Sequence, residues 1–270
     1  MAEQRKTFHA ELEEIRDEIV HLAAMLGELI PRGTEALITN DMQGAQRLIE
    51  DDDEVDALTL RIEEHCYNVL ALQQPMAGDL RAIVTALWLT AEIERSADLV
   101  VNIAKGARRI YGASLDARLR GLIERMADEA SRLYKLAINA YVERNAGLAS
   151  ALDDMDDTLD AIHNDYIEAI FESHASRNVD LQQAVQLALI GRYYERIGDH
   201  AVNIGQRVEY MVTGWLPEHS GAARVQARAR QGASDAAGIA DGNTDGVRTD
   251  SIPTPALRLA SPDADLDAGG

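Results

Sequence analysis

The chain has little cysteine, little proline, few aromatic side chains and a shortage of positive charge. Its 270 residues include one cysteine, six prolines and 4% aromatic residues, with 46 acidic against 26 basic side chains. One cysteine cannot form an internal disulfide, so a disulfide-stapled scaffold is excluded. The formal net charge of −20 argues against nucleic acid and anionic membrane surfaces as partners, because both are bound through clustered Lys and Arg.

Long hydrophobic runs are also missing. No apolar stretch approaches the roughly 20 residues that a membrane-spanning helix needs. The opening residues 1–6 are polar and lead directly into a charged helical pattern, without an apolar signal segment. We therefore expect a cytoplasmic protein with no direct membrane insertion.

Helical apolar spacing fills the chain up to about residue 215, where Leu, Ile, Val, Ala, Glu, Asp and Arg dominate. The spacing predicts helices near residues 6–40, 43–73, 77–110, 114–145, 147–174 and 178–213. Helices of this length need an apolar stripe packed against neighbours. We predict an all-α fold of two tandem three-helix bundles, at 1–112 and 113–216. Two copies of the chain are expected to form a homodimer. The Ala-, Gly-, Ser-, Asp- and Pro-rich segment 217–270 is predicted to be a disordered tail.

One acidic sequence motif, which we call the acidic phrase, occurs in both halves of the chain. Glu-Arg-x-x-Asp occupies residues 94–98 and returns at residues 195–199, which is 101 residues later. At the same offset Val-Asn-Ile at 101–103 returns at 202–204, and the aspartates 52, 53 and 56 return at 153, 154 and 157. The identities fall mostly on carboxylates, Arg and Asn rather than on core residues. The repeat therefore indicates a duplicated unit that preserves a site as well as a fold.

The repeated carboxylates are the candidate functional residues. Glu94 and Asp98 are four residues apart and share one helix face, where like charges are destabilising. Asp52 and Asp56 form a similar pair on the preceding helix, and an antiparallel arrangement brings Asp56 opposite Glu94. Four convergent carboxylates without cysteine or histidine suit an oxygen-seeking cation such as Mg, Mn, Fe or Ca, with Zn less favoured. The second half repeats the pattern with Asp153, Asp157, Glu195 and Asp199.

Plainer interpretations stay open for these residues. A Glu-x-x-x-Asp pair usually marks a solvated helix face, and aspartates near a helix start can act as caps. We assign capping roles to Asp79 and Asp180. Arg95 and Arg196 can pair with neighbouring carboxylates, while Asn102 and Asn203 can supply hydrogen bonds one turn beyond the site. A metal-free adaptor with acidic faces is a further possibility.

The alternative from another class is a carboxylate-bridged dimetal enzyme on a helical bundle. Ferritin-like sites of that kind need Glu-x-x-His on two helices. This chain offers Glu18 and His21, whose counterparts at the repeat offset are Leu119 and Leu122. No nucleophile or phosphate-cradling glycine loop accompanies the carboxylates. We therefore predict no enzymatic activity and no catalytic residues.

The two phrases, together with Gln-Pro-Met-Ala-Gly-Asp-Leu-Arg at 74–81, resemble the PhoU family of phosphate-signalling regulators. The resemblance covers residues 5–215 and implies a six-helix, two-bundle protein. It implies a negative regulator of phosphate uptake and phosphate-starvation signalling, which couples the ATPase subunit of a phosphate ABC transporter to a membrane sensor histidine kinase. It also implies metal sites for Fe, Mn, Mg or Zn, formed by Asp52, Asp56, Glu94 and Asp98, and by Asp153, Asp157, Glu195 and Asp199.

The first phrase departs from the family pattern more than the second does. It has Ser96-Ala97 and Leu99 where the second copy keeps Ile197-Gly198 and His200. Equal metal affinity in the two halves is therefore not expected. The segment after Pro217 lies outside the family pattern and resembles an added extension.

Overall fold

The computed structural model describes residues 2–215, and their side chains from residue 8 onward. The predicted tail at 217–270 lies outside the described residues. All regular structure in the described part is α-helical. The helices are α1 (Ala2–Thr39), α2 (Met42–Glu50), α3 (Asp52–Gln73), α4 (Gly78–Arg109), α5 (Ala117–Glu143), α6 (Ala146–Ala175) and α7 (Leu181–Thr213).

The fold is a tandem pair of three-helix bundles, as the sequence predicts. In the first bundle α1, α3 and α4 contact one another, and short α2 leads into α3. In the second bundle α5, α6 and α7 contact one another. Helices α4 and α7, which carry the two acidic phrases, also pack along each other and join the bundles. The repeated phrases therefore lie on the two central helices.

The predicted helix at 43–73 is wrong in one respect, because two helices occupy that range. Asp51 ends α2 and precedes α3, and its carboxylate pairs with Arg32 of α1 at 2.5 Å. Its counterpart at the repeat offset, Leu152, is fully buried inside the unbroken helix α6. An unpaired charged residue is costly at such a buried position, so Asp51 does not continue the helix as Leu152 does.

Side-chain caps account for several helix starts. Asp41, Asp116 and Asn145 each accept a hydrogen bond from a backbone N–H in the first turn that follows. The predicted cap at Asp180 is confirmed, and Gln183 completes a capping box with it. The predicted cap at Asp79 is wrong. Helix α4 begins at Gly78, the residue before Asp79, and follows a turn in which Ala77 has a φ of 51°.

The core lies along the predicted apolar stripes. The stripe of α1 is buried throughout, with Ile15, Ile19, Leu22, Leu26 and Leu29 at most 4% exposed. The single thiol, Cys66, is fully buried, and burial raises its pKa to about 12. None of the helices in the described range is both long and apolar enough to traverse a lipid bilayer.

Candidate carboxylate sites

The first predicted group of carboxylates comes together between α3 and α4. Asp52 lies in the first turn of α3 and Asp56 one turn later, while Glu94 and Asp98 are one turn apart on α4. Burial, followed by the charges of Asp56 and Asp98, raises the pKa of Asp52. Burial, followed by the charges of Asp98 and Asp56, raises the pKa of Glu94. The four carboxylates are thus close enough to interact electrostatically, and we call them cluster one.

Cluster one offers oxygen ligands alone, although no three of its carboxylates meet the mutual 4.8 Å spacing that Glu11, Glu14 and His65 meet among the described residues. Within the described residues, none of its four carboxylates forms an ion pair. Lys105 is near enough to lower the pKa of Asp52, but the repulsion among the carboxylates and their burial outweigh it. Oxygen donors alone favour Mg, Ca or Mn and tolerate Fe. Metal binding by these residues stays a prediction.

The second group gathers between α6 and α7 around a residue that the sequence analysis missed. Asp156 is half-buried, and burial raises its pKa to about 7, with further contributions from Asp160 and Asp199 and then from Asp153 and Asp157. The predicted residues Asp153, Asp157 and Asp199 are therefore close enough to Asp156 to raise its pKa. Glu195 lies on the same stretch of α7, one turn before Asp199. We call these residues, with Asp156, cluster two.

Arg192 makes cluster two different from cluster one. Its guanidinium forms an ion pair with Glu195 and lies 3.8 Å from Asp199. The residue at the same place in the first copy is Ala91. Burial, and then the charge of Arg192, lowers the pKa of His163 on α6, so this imidazole is neutral at physiological pH. Arg192 and His163 thus lie beside cluster two, whereas the residues 101 positions earlier in the first half are Ala91 and Ile62.

A polar contact connects the two bundles close to both clusters. Nδ1 of His200 on α7 lies 2.7 Å from a carboxylate oxygen of Glu92 on α4, and the amide of Asn203 donates to the same oxygen at 3.0 Å. Arg95 pairs with the other oxygen of Glu92 at 3.1 Å. The predicted roles of Arg95 as an ion-pair partner and of Asn203 as a hydrogen-bond donor are confirmed. The shared acceptor, Glu92, was not predicted.

A third acidic set lies away from the repeated phrases, between α1 and α3. Ligand atoms of Glu11, Glu14 and His65 lie within 4.8 Å of one another. His65 contacts Glu11 through Nε2 at 2.8 Å and Glu18 through Nδ1 at 3.1 Å. The spacing of the three glutamates, at positions 11, 14 and 18 on one face of α1, could have indicated this set. His65 thus links two glutamates of α1 to α3.

A third copy of the acidic phrase shows that the phrase alone does not make a cluster. Glu-Arg-x-x-Asp also occurs at residues 124–128 on α5. Both Glu124 and Asp128 are exposed. What distinguishes the other two copies is the pair of aspartates that the neighbouring helix brings to them.

Comparison with known proteins decides the family. The sequence profile of the PhoU domain matches residues 19–107 and 123–208. The chain belongs to the PhoU family. A PhoU relative from Mycobacterium tuberculosis, the phosphate-specific transport system accessory protein PhoU homolog 1, is 35% identical over 214 residues, which are 79% of this chain and 96% of the relative. A PhoU homolog from Clostridium acetobutylicum is 30% identical over 78% of this chain and 96% of its own length.

Solved PhoU structures have the same fold. The crystal structure of PhoU from Pseudomonas aeruginosa superimposes with a TM-score of 0.72 at 26% identity, and the match covers 77% of this chain and all of that one. Both relatives described above carry the name of phosphate-specific transport system accessory proteins. The phrase at residues 94–98 lies within the first PhoU domain match, and the phrases at 124–128 and 195–199 lie within the second.

Proposed function

We propose that this protein is a negative regulator of phosphate uptake and of phosphate-starvation signalling. It acts in the cytoplasm as a homodimer that links the ATPase subunit of a phosphate transporter to a membrane sensor histidine kinase. The observation that carries the proposal is the match of both halves to the PhoU domain, together with relatives named as phosphate-specific transport accessory proteins. Those relatives are matched over nearly their whole length.

Clusters one and two are proposed as its cation sites. A bound Fe, Mn, Mg or Zn ion would supply the positive charge that the crowded carboxylates lack. Asp52, Asp56, Glu94 and Asp98 hold it in the first bundle, and Asp153, Asp157, Glu195 and Asp199 hold it in the second. Each cluster joins two helices of its bundle, so a filled cluster fixes the register of those helices. The loaded surface is then presented to the transporter or the kinase.

An accessory role accounts for the chain better than a dimetal enzyme does. The chain has one Glu-x-x-His sequence, at residues 18–21, whereas the enzyme class needs the sequence on two helices. The relatives' names also describe accessory proteins rather than enzymes.

The test is complementation of a bacterial strain from which its own regulator of this kind has been deleted. The intact chain is expected to restore repression of phosphate uptake, measured with radiolabelled phosphate in phosphate-rich medium. A variant with Glu94, Asp98, Glu195 and Asp199 all changed to Ala is expected to lose that repression. It should also lose its retention of the transporter ATPase in a pull-down with purified proteins.

The third phrase provides a matched control. Glu124→Ala with Asp128→Ala removes the same residue types at the same spacing from an exposed helix face. This double variant should behave like the intact chain. Failure of the intact chain to repress uptake would overturn the regulatory function. Full repression by the quadruple variant would overturn the role of the clusters in it.

A further inference from the structure

Glu11 and Glu14 of α1 and His65 of α3 form a compact group of metal-ligating side chains apart from both clusters. Their ligand atoms lie within 4.8 Å of one another, and among the described residues no other three carboxylate, imidazole or thiol groups do so. Bonds of about 2.0–2.2 Å place the ligand atoms of a tetrahedral ion roughly 3.3 Å apart. Small rotations of the glutamate side chains would therefore close the three ligands around one ion.

The imidazole of His65 is held in the orientation that a metal ligand needs. Oε2 of Glu18 lies 3.1 Å from Nδ1, and Oε2 of Glu11 lies 2.8 Å from Nε2. One imidazole can offer only one nitrogen to a given ion, and metal-ligating histidines almost always donate the other ring N–H to a carboxylate, a carbonyl or water. With Glu18 accepting the Nδ1–H, the lone pair of Nε2 points toward the side of the ring where Glu11 lies.

The negative charge of this group exceeds the positive charge that pairs with it. Glu11, Glu14 and Glu18 lie on one face of α1, where like charges three or four residues apart destabilise a helix. Within the described residues, Glu14 forms no ion pair, and Glu11 and Glu18 share the single imidazole of His65. A protonated His65 would balance only one of the three carboxylates. A divalent cation at Nε2 would supply the positive charge that is missing.

The ligand types indicate which ions would bind. Cys66, the next residue along α3, is fully buried, and burial raises its pKa to about 12, so its thiol stays protonated. Because the thiolate is the form that binds metal, the group offers two carboxylate oxygens and one imidazole nitrogen. Oxygen ligands alone suit Mg and Ca, whereas an imidazole shifts the preference toward Fe, Ni, Cu and Zn. Glu14 is exposed, so water can fill the remaining coordination positions.

We propose that Glu11, Glu14 and His65 bind a divalent first-row transition-metal ion at the contact between α1 and α3, and that Glu18 orients the imidazole. The acidic phrases contribute none of these residues, so the site does not depend on cation binding by cluster one or cluster two. Because two ligands come from α1 and one from α3, the bound ion links these helices directly. The expected consequence is a first bundle that unfolds less easily when the ion is bound.

Zn²⁺ binding is measured by calorimetry at pH 8, where fewer protons compete for the imidazole than at lower pH. The full chain is used in a background that removes the phrase carboxylates from both clusters, with Glu94, Asp98, Glu195 and Asp199 changed to Ala. In this background Glu14→Gln is expected to weaken Zn²⁺ binding by more than roughly 100-fold, and Glu18→Ala by roughly 10–100-fold, the usual effect of removing an outer-shell partner. Glu28→Gln should leave the affinity unchanged, because Glu28 is an exposed glutamate farther along α1.

Histidine NMR of the intact chain provides a second measurement that needs no background variant. Zn²⁺ should shift the Nε2 resonance of His65 more than its Nδ1 resonance, and the spectrum of His65→Gln assigns the signal. Thermal unfolding checks the fold of each variant. Without metal, Glu14→Gln should melt like the background, because Glu14 is exposed. The same Zn²⁺ concentration should raise the melting temperature of the background and of Glu28→Gln, but not that of Glu14→Gln.

Two results would overturn the site. Equal Zn²⁺ affinity in the background and in Glu14→Gln would show that the ion binds elsewhere. An intact chain whose His65 resonances do not respond to Zn²⁺ would show that His65 only forms hydrogen bonds with the glutamates. Neither result bears on the regulatory function, which complementation by the intact chain tests separately.

Discussion

At the scale of single residues, glycines of α7 set how closely this helix approaches α6. A Cβ on Gly205 would lie 2.6 Å from a methyl of Leu152 and 2.8 Å from the backbone oxygen of Ala149. The backbone of a helix cannot move aside as a side-chain tip can. Gly205 is therefore required for the close packing of the two helices rather than for backbone freedom.

The change Gly205→Ala is expected to destabilise the protein by about 1–3 kcal/mol, the usual cost of overpacking. The matched control is Gly121→Ala on α5, where nothing lies within 4 Å of the added Cβ. That change should be neutral or should stabilise by up to about 1 kcal/mol, because Ala favours helix over Gly. Urea unfolding of the two variants measures both effects. Equal stability of the two variants would show that α7 can shift away from α6 at no cost.

Residue by residue, the repeat predicted the carboxylates better than it predicted their surroundings. Identity between copies marked the eight acidic residues as candidate ligands, and in the first half Asp56 and Asp98 are close enough to raise the pKa values of Asp52 and Glu94. It could not identify Asp156 or His163, because a search for identities passes over positions where the copies differ. The informative signal was a difference between the copies. Val55 and Ile62 fit the core periodicity of α3, whereas Asp156 and His163, 101 residues later in the second copy, are polar.

At the scale of elements, the contact between α1 and α3 depends on His65. Burial alone would lower the pKa of His65, but hydrogen bonds and charge interactions with Glu11 and Glu18 outweigh it and raise the pKa. A raised pKa in the folded state means that folding favours the protonated imidazole. This stabilisation is fully present below the unfolded value of 6.5 and is lost as the pH rises through the folded pKa.

We therefore expect His65→Gln to cost more stability at pH 5.5 than at pH 8.5. Free energies of unfolding from urea titrations at the two pH values measure the difference. His21→Gln is the control, because His21 is an exposed histidine of α1, the helix that His65 contacts. Its cost should be small at both pH values. A cost for His65→Gln that does not change with pH would mean that the imidazole is neutral in its contacts with the glutamates.

The positions of the long helices could be predicted from the sequence, but the boundary between α2 and α3 could not. Apolar spacing predicts where a long helix lies, because each helix must bury a stripe. At the break, the Asp51 carboxylate pairs with Arg32, which lies 19 residues earlier on α1. Periodicity within one segment carries no information about such a partner. The cap at Asp180 was predictable because its hydrogen bonds are local.

At the scale of the whole molecule, folding brings several carboxylates of this acidic protein close to one another. Burial and neighbouring acidic groups raise the pKa of Asp52, Glu94 and Asp156, the last to about 7. These groups hold protons more tightly in the folded state than in the unfolded state. By linkage, their contribution to stability falls as the pH rises from the ordinary carboxyl range through the folded pKa values. His65 contributes in the same direction above its unfolded pKa.

The metal-free protein is accordingly expected to be more stable near pH 5 than near pH 8. Thermal unfolding in EDTA at pH 5, 6, 7 and 8 measures the trend, which should flatten in roughly 0.5 M NaCl because salt screens the exposed part of the repulsion. Asp156→Asn should reduce the fall of the melting temperature between pH 5 and 7, since the charge that develops on Asp156 in that range is removed.

Glu92 acts in the opposite sense, because its hydrogen bonds to His200 and Asn203 outweigh burial and lower its pKa. Its contribution is lost as the pH falls through its folded pKa, below 4.5, outside the tested range. A melting temperature that rises steadily from pH 5 to pH 8 would contradict the idea that crowded carboxylates dominate the electrostatics of the fold.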